Sequence, residues 1–229
     1  MTEPLIIAID GPSGAGKSTV ARMLAQILNL AYLDTGAMYR AVGLKTRERG
    51  LALPIAEPDR VVQIAGECRI DLSTSASRTV VWLDGVDVSE AVREPEISLY
   101  ASAVSAIPGV RRLLVARQRE IGRDRGGVLE GRDIGSRVFP ESPHKFFLTA
   151  TETERARRRH AELASRGAPE PLEKVLAEMR RRDGDDSNRA DSPLAFDESY
   201  QRIESDGLTP DDVVARMLAS IGFPGRFGP

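Results

Sequence analysis

An α/β fold built on a five-stranded parallel sheet follows from three features of this sequence. Five short apolar or β-rich runs are spread along the chain: "LIIAID" (5–10), "LAYLD" (30–34), "GGVLEG" (126–131), "HKFFLTA" (144–150) and "SYQRIES" (199–205). Stretches with apolar residues at helical spacing separate them, which predicts crossovers rather than hairpins. A glycine-rich loop joins the first run to the first helical stretch.

The first run is almost continuously apolar, as a parallel strand covered on both faces requires. After the loop "GPSGAGKST" (11–19), Val20, Met23, Leu24, Ile27 and Leu28 mark one face of a helix. The right-handed crossover of such a βαβ unit makes "LAYLD" parallel to the first strand. About 90 residues then pass where a crossover helix and short loops suffice, so an insertion is expected. Within it, "ECRIDLS" (67–73) alternates Cys68, Ile70 and Leu72 with polar residues. "RTVVWLDGVDVS" (78–89) sets Asp84-Gly85 between β-rich arms, the signal of a tight hairpin. These stretches predict a three-stranded antiparallel meander, followed by helices over 96–107 and 109–122 broken at Pro108-Gly109.

Thr151 with Glu154 predicts a capping box for a helix running to about residue 165. "RGAPEP" (166–171) turns the chain into another helix, which the Gly184 region is expected to end. The fifth run is polar and therefore predicts an edge strand. Thr209, Pro210 and Asp212 open a last helix whose apolar face carries Val213, Val214, Met217, Leu218 and Ile221. The tail "GFPGRFGP" (222–229) reads as loosely ordered.

At 229 residues the chain has room for one large α/β domain with elaborations, or for two small ones. Its 41% hydrophobic and 29% charged content is that of a soluble globular protein. No apolar run approaches the roughly 18 residues of a membrane span, and "MTEP" lacks the regions of a signal peptide, so a cytoplasmic protein is expected. The single cysteine, Cys68, excludes an intramolecular disulfide and reads as a small buried apolar residue. A net charge of -2 argues against a general nucleic-acid binder. Only Lys17, Lys45, Lys145 and Lys174 among the 32 basic residues are lysines; the other 28 are arginines, whose planar fork fits phosphate oxygens.

"GPSGAGKS" (11–18) fits the phosphate-loop pattern G-x-x-x-x-G-K-[ST] at every position, between a strand and a helix. Gly11, Pro12, Ser13, Gly14, Ala15, Gly16, Lys17, Ser18 and Thr19 are therefore the candidate ATP-binding residues. Backbone N–H groups and the helix dipole cradle the phosphates, Lys17 reaches the β- and γ-phosphates, and Ser18 gives its hydroxyl to Mg²⁺. Guanine-recognition sequences of the N-K-x-D type are absent, as is the long apolar-plus-acidic strand of large ATPases. The layout suits a small kinase that closes over two substrates. His144, opening a strand, and His160, in an arginine-rich helix, read as solvated rather than catalytic. A phosphate monoester acceptor needs no base, because its second pKa of about 6 leaves it ionised at neutral pH.

In order and spacing, "IAIDGPSGAGKST", "LDTGAMYRA", "EGRDIGSRVFP", "KFFLTATETERARRR" and "RRDGDDSNR" resemble the bacterial cytidylate kinases, a family of nucleoside monophosphate kinases. The resemblance runs from about residue 5 to 220, and its GRDIG and R-D-x-x-D-x-x-R elements are far more specific than the phosphate loop. It implies a three-layer P-loop kinase fold with a β-rich monophosphate-binding insert and a mobile helical lid. The corresponding division is core over 1–62, β insert over 63–95, core over 96–160, lid over 161–185 and core over 186–229. The implied reaction moves the γ-phosphoryl group of ATP, with Mg²⁺, to CMP or dCMP. The implied partners are these nucleotides alone, with neither nucleic acid nor membrane, and the implied state is a monomer.

By the same resemblance, Thr35 and Arg40 contact the monophosphate, and Arg132 holds its phosphate. Asp133, Ser102 and Arg111 read the cytosine edge, while Arg182, Asp186 and Arg189 hold ribose hydroxyls and phosphates. Lys17, Arg132, Arg182 and Arg189 are the expected catalytic set. Arg155 and Arg159 share a helix face and one of them reaches ATP, Arg159 being the candidate. Arg158, one turn from Glu154 and Glu162, reads as a surface ion pair. Asp34 either caps a helix or, like Asp133, orients a magnesium water; Asp10 reads as a turn residue. The sequence departs from the family pattern at Thr35, where serine is common, at Arg137, where an apolar residue is expected, and in the polar segment 195–205. Two rivals stand beside this reading: a kinase for another acceptor such as UMP or AMP, and a nucleotide-binding regulator without transfer. A second set of arginines favours a kinase, because a sensor of ATP alone has no use for it.

Overall fold

The computed structural model describes residues 4–74, 79–189 and 191–223. Its elements, in chain order, are β1 (Ile6–Asp10), α1 (Lys17–Leu28), β2 (Tyr32–Asp34), α2 (Thr35–Glu48), α3 (Pro58–Glu67), β3 (Ile70–Thr74), β4 (Thr79–Leu83) and β5 (Val86–Asp87). A 3-10 turn at Ala91–Arg93 precedes α4 (Pro95–Ser105), α5 (Pro108–Arg125) and β6 (Gly127–Gly131). A π-helical turn, Ile134–Val138, leads to β7 (His144–Thr149), α6 (Glu152–Ser165), α7 (Leu172–Ser187), β8 (Gln201–Glu204) and α8 (Pro210–Ser220). Most of the predicted tail, from residue 224, lies outside the described residues.

The five core strands form one parallel sheet in the order β2-β6-β1-β7-β8. β6 therefore lies between the first two strands of the sequence, and β1 pairs on its other side with β7, Ile9 opposite Phe146. β8 is the edge strand that its polarity predicts, with Ile203 its only buried residue, opposite Leu148. β3, β4 and β5 form a separate three-stranded antiparallel sheet turned at Asp84-Gly85.

The chain divides into two compact units, one of residues 1–5 with 31–127 and one of residues 6–30 with 128–229. In the first, Met38, Val42 and Leu44 of α2 are buried with Val61 and Ile64 of α3, Val81 and Leu83 of β4, and Ile97 and Val104 of α4. α2 and α4 approach so closely that a Cβ on Gly43 would stand 3.0 Å from the Ala101 nitrogen. In the second unit, Ile7, Ala8 and Ile9 are fully buried. Helices α1 and α8 pack on each other and bury Val20, Leu24, Val213, Val214, Met217 and Leu218. Each such side chain stabilises by about 1.5–3 kcal/mol relative to exposure. Among the described residues no single helix is long and apolar enough to cross a membrane.

Three local expectations are corrected. α7 runs through Gly184 to Ser187: the residues before it favour helix, and a Cβ added at Gly184 would meet nothing within 4 Å, so nothing crowds the turn there. Thr151 does cap α6 by accepting from the Glu154 N–H at 3.3 Å, but the reciprocal half of the box is replaced. The Thr151 N–H donates to Asp206 at 2.9 Å, while Glu154 pairs with Arg158. The full box forms instead at Thr209 and Asp212 on α8. The elements expected from sequence include no helix over 35–48; α2 is there, and of the two readings of Asp34 the cap is the one observed, accepting from the Ala37 N–H at 3.0 Å.

Gly11, where β1 enters the phosphate loop, has φ +148° and leaves no room for a side chain: a Cβ would sit 2.0 Å from the Leu148 carbonyl oxygen. Gly11→Ala is expected to destabilise by more than about 3 kcal/mol, through backbone strain and overpacking together. Gly184→Ala, in open space on a helix, is expected to be neutral or to stabilise by up to about 1 kcal/mol. Urea denaturation of the two variants beside the parent checks both signs.

Candidate active site

The phosphate loop is held mainly through its backbone. Gly16, in the left-handed region at φ 92°, caps α1, so the unpaired first-turn N–H groups of that helix form an anion site. Lys17 is buried, and its Nζ donates to the Pro12 carbonyl at 2.8 Å. Ser18 and Thr19 stay exposed on the first turn. Arg155 of α6 is buried against the loop: Nη1 donates to the Ser13 carbonyl at 3.0 Å and Nε to the Ala150 carbonyl at 3.1 Å. The same guanidinium is paired with Asp183 of α7, and Asp183 also accepts from the Ser13 N–H at 3.4 Å.

Of the two arginines left open by helical spacing, Arg155 therefore meets the loop, whereas Arg159 pairs with Glu162 at 2.7 Å. Arg158 is more than a surface pair. Besides Glu154 it holds the Ser205 hydroxyl at 2.9 Å and carbonyl at 2.8 Å, and Nη1 would be 3.9 Å from a Cβ on Gly16.

Beyond β6, the Arg132 Nε donates to Asp186 at 2.9 Å, and Asp186 is also paired with Arg189. Burial pushes the Asp186 carboxyl up, but the Arg132, Arg189 and Arg182 charges outweigh it and hold the group below its ordinary value. The predicted segment 182–189 thus gathers three arginines about one buried carboxylate, with Asp133 buried at the start of the π-helical turn. Arg137, half exposed, reaches Asp191 at 3.5 Å.

The remaining predicted contacts lie in the other unit. Thr35 is buried as the first residue of α2, and Arg40 pairs with Asp34 at 2.6 Å, so Asp34 acts as a helix cap and an arginine partner. The Arg40 Nε is buried and makes no hydrogen bond within the protein. Arg111, 2% exposed, lies over the Tyr39 ring at 5.6 Å and donates to the Ser105 carbonyl at 3.3 Å. The Ser105 hydroxyl in turn bonds the Ser102 carbonyl at 2.8 Å.

Two acids escaped the sequence reading. Asp10 is no turn residue: it ends β1 fully buried, and accepts from the Ile134 N–H, the Gly135 N–H and the Tyr200 hydroxyl, each at 2.8 Å. Burial raises its carboxyl to about 6, only partly offset by those bonds. Burial and the Asp10 charge together raise Tyr200, which stays a donor. Glu130, next to last in β6, the strand beside β1, is also buried. The oxygen donors here, the Ser18 hydroxyl and the Glu130 carboxylate, are hard ligands of the kind that bind Mg²⁺ directly or through water beside substrate phosphates.

Burial pushes the Lys17 ammonium down to about 7, helped by Arg132 and opposed by Glu130, Asp10 and Asp183. Triphosphate oxygens beside it restore the charged form. Nucleotide binding at pH 8 is therefore expected to take up close to one proton, and at pH 6 almost none from this group. Calorimetric binding enthalpies in buffers of different ionisation enthalpy measure the uptake; in Lys17→Met it should vanish.

A family model described as "Cytidylate kinase" matches residues 7–222. The chain is 49% identical over 219 residues to a protein named "Cytidylate kinase" from Desulforamulus reducens, covering 95% of this chain and 97% of that one. One of the same name from Caldanaerobacter subterraneus subsp. tengcongensis is 47% identical over 215 residues, with 94% and 93% covered. A "Bifunctional pantoate ligase/cytidylate kinase" from a Synechococcus strain is 47% identical over 216 residues; the match takes in 93% of this chain but 40% of that longer protein. A crystal structure of an uncharacterized protein from Eubacterium ventriosum aligns over 96% of this chain and 99% of its own, with a TM-score of 0.51 at 12% identity, a likeness of fold alone. The family match over nearly the whole chain falls on the loop, the turn after β6 and the arginine-rich helices just described, and the chain belongs to the cytidylate kinase family.

Proposed function

We propose that this protein transfers the γ-phosphoryl group of ATP to CMP, and to dCMP, giving ADP and the diphosphate. The observation that carries the reading is the charge arrangement around Lys17. A buried ammonium on the phosphate loop feels the field of Arg132, and Arg132 belongs to a second cationic group with Arg182 and Arg189 about Asp186. Two cationic centres so placed suit two polyanions that must be brought together against their own repulsion.

In this reading the loop residues 11–19 hold the ATP phosphates, with Arg155 fixing the loop and Arg158 bracing its far side. Ser18 and Glu130 would hold Mg²⁺ and its waters, and the ion would neutralise charge on the β- and γ-phosphate oxygens. Arg40, Arg132, Arg182 and Arg189 hold the acceptor phosphate, and Thr35 adds a hydroxyl. Ser102, Arg111 and Asp133 read the base, and Asp186 with its arginines meets the ribose. No side chain takes a proton from the attacking oxygen, since the acceptor phosphate is already ionised. The antiparallel β3–β5 insert belongs to the acceptor side and α6–α7 to a lid whose closure excludes water. The expected setting is a cytoplasmic monomer acting on small nucleotides, with no nucleic-acid or membrane partner.

An ADP-release assay across the common nucleoside monophosphates tests this. CMP and dCMP are expected to give the strongest signal. Asp133→Asn and Ser102→Ala should lower the CMP-to-UMP preference by about 10-fold, the weight of roughly one hydrogen bond to a charged or polar base edge. A dominant signal with UMP or AMP, or ATP binding with no transfer, would replace the reading with one of its rivals.

A further inference from the structure

We propose that Asp10 is a positioning residue for the acceptor side of the transfer: its buried carboxylate fixes the Arg132–Asp133 turn against the end of β1, one residue ahead of the phosphate loop. Both carboxylate oxygens are used. Oδ1 accepts from the Ile134 N–H, and Oδ2 accepts from the Gly135 N–H and from the Tyr200 hydroxyl, all at 2.8 Å. Those two N–H groups follow directly on Arg132 and Asp133, so the carboxylate sets where these side chains begin. Packing closes the arrangement, because a Cβ on Gly135 would stand 2.7 Å from the Tyr200 hydroxyl and 2.9 Å from Lys145 Cδ. The turn can neither lift off Asp10 nor slide past Tyr200 without losing a buried bond, each worth more when left unmade than when formed.

The inference rests on the reading that Arg132 and Asp133 face the acceptor. It assigns no contact with substrate to Asp10. The charged and titratable groups around it are Asp133 from the turn, Tyr200 ahead of β8, and Lys17 from the loop and α1, with Lys145 of β7 5.9 Å from the Tyr200 ring centre. The simplest alternative is a purely structural role, in which damage at Asp10 would weaken both substrates alike.

The test separates these. Asparagine at position 10 offers one acceptor oxygen and an NH₂ group, so one backbone N–H of the turn must face a donor. Asp10→Asn is expected to raise KM for CMP at least 10-fold and to lower kcat, and to change the Kd for ATP several-fold less, the smaller loss coming from the Asp10 charge that supports the Lys17 ammonium. Tyr200→Phe removes one donor and keeps the ring, and should raise KM for CMP about three-fold. Protonating Asp10 mimics the asparagine. The ratio of kcat/KM for CMP between parent and Asp10→Asn should therefore fall towards one as the pH drops below about 6. Titration of CMP itself cancels in that ratio.

An unchanged CMP KM in folded Asp10→Asn overturns the proposal, as does an equal loss for ATP and CMP or a ratio flat across pH. If Asp10→Asn does not fold, Tyr200→Phe decides: a selective rise in KM for CMP supports the proposal, and no change overturns it. Failure of the underlying reading looks different: the parent shows no CMP-dependent ADP release, or Arg132→Ala leaves KM for CMP unaltered.

Discussion

Cations gathered in a protein interior repel one another, and the whole site is organised around that constraint. At an effective dielectric of about 20, two like charges about 5 Å apart cost about 3 kcal/mol. The chain meets this by threading carboxylates between its basic groups. Asp186 sits among Arg132, Arg182 and Arg189, Asp183 is paired with Arg155, and Glu130 and Asp10 act on Lys17. This explains how a protein with a net charge of -2 can present a strongly cationic site. The acids keep the arginines in place before the ligand arrives, so that phosphate oxygens meet groups already ordered.

Local geometry decides which arginine of "RARRR" does what. On α6, Arg155 falls on the turn nearest the loop and becomes buried on the Ser13 carbonyl, while Arg159, one turn on, has moved out to Glu162. Arg158 lies on a neighbouring face and reaches Ser205, whose hydroxyl also bonds the Thr149 carbonyl at 3.0 Å beside the start of α6. Three of the four arginines in this run are thus separated by a rotation of about 100° per position into a loop contact, a brace and an ion pair with Glu162.

What could be read from sequence is what depends on neighbours in sequence. The phosphate loop, the Asp84-Gly85 hairpin, the Thr209 cap and the polar edge strand each rest on residues within a few positions of one another. Asp10 could not be read, because the backbone groups it holds lie 124 and 125 residues away. A carboxylate before a glycine-rich loop looks like a turn residue until Ile134 and Gly135 are brought to it. Glu130 lies in a strand that the sequence does predict, but its burial depends on the neighbouring strands and is not local information. Gly184 shows the opposite error: a strong local breaker was overridden where its neighbours, "EKVLAEMRRRD", favour helix and nothing crowds the glycine.

A reaction without a general base leaves catalysis to placement and charge, which accounts for an otherwise unfavourable choice at Asp10. Its folded-state pKa of about 6 stands above the usual 3.8, so ionised Asp10 costs stability at neutral pH. That cost, at most about 3 kcal/mol by the usual conversion, is present above pH 6 and disappears as the pH falls towards 4. An ionised carboxylate is favoured only because two backbone N–H groups and a hydroxyl need an acceptor at one point, and an apolar residue supplies none. The turn it fixes leads with Arg132, and a displacement of about 1 Å in a group that meets developing charge costs on the order of 10²-fold in rate. On the proposed function, the destabilising acid and the glycine beside Tyr200 serve one requirement: an arginine placed before the phosphoryl group passes.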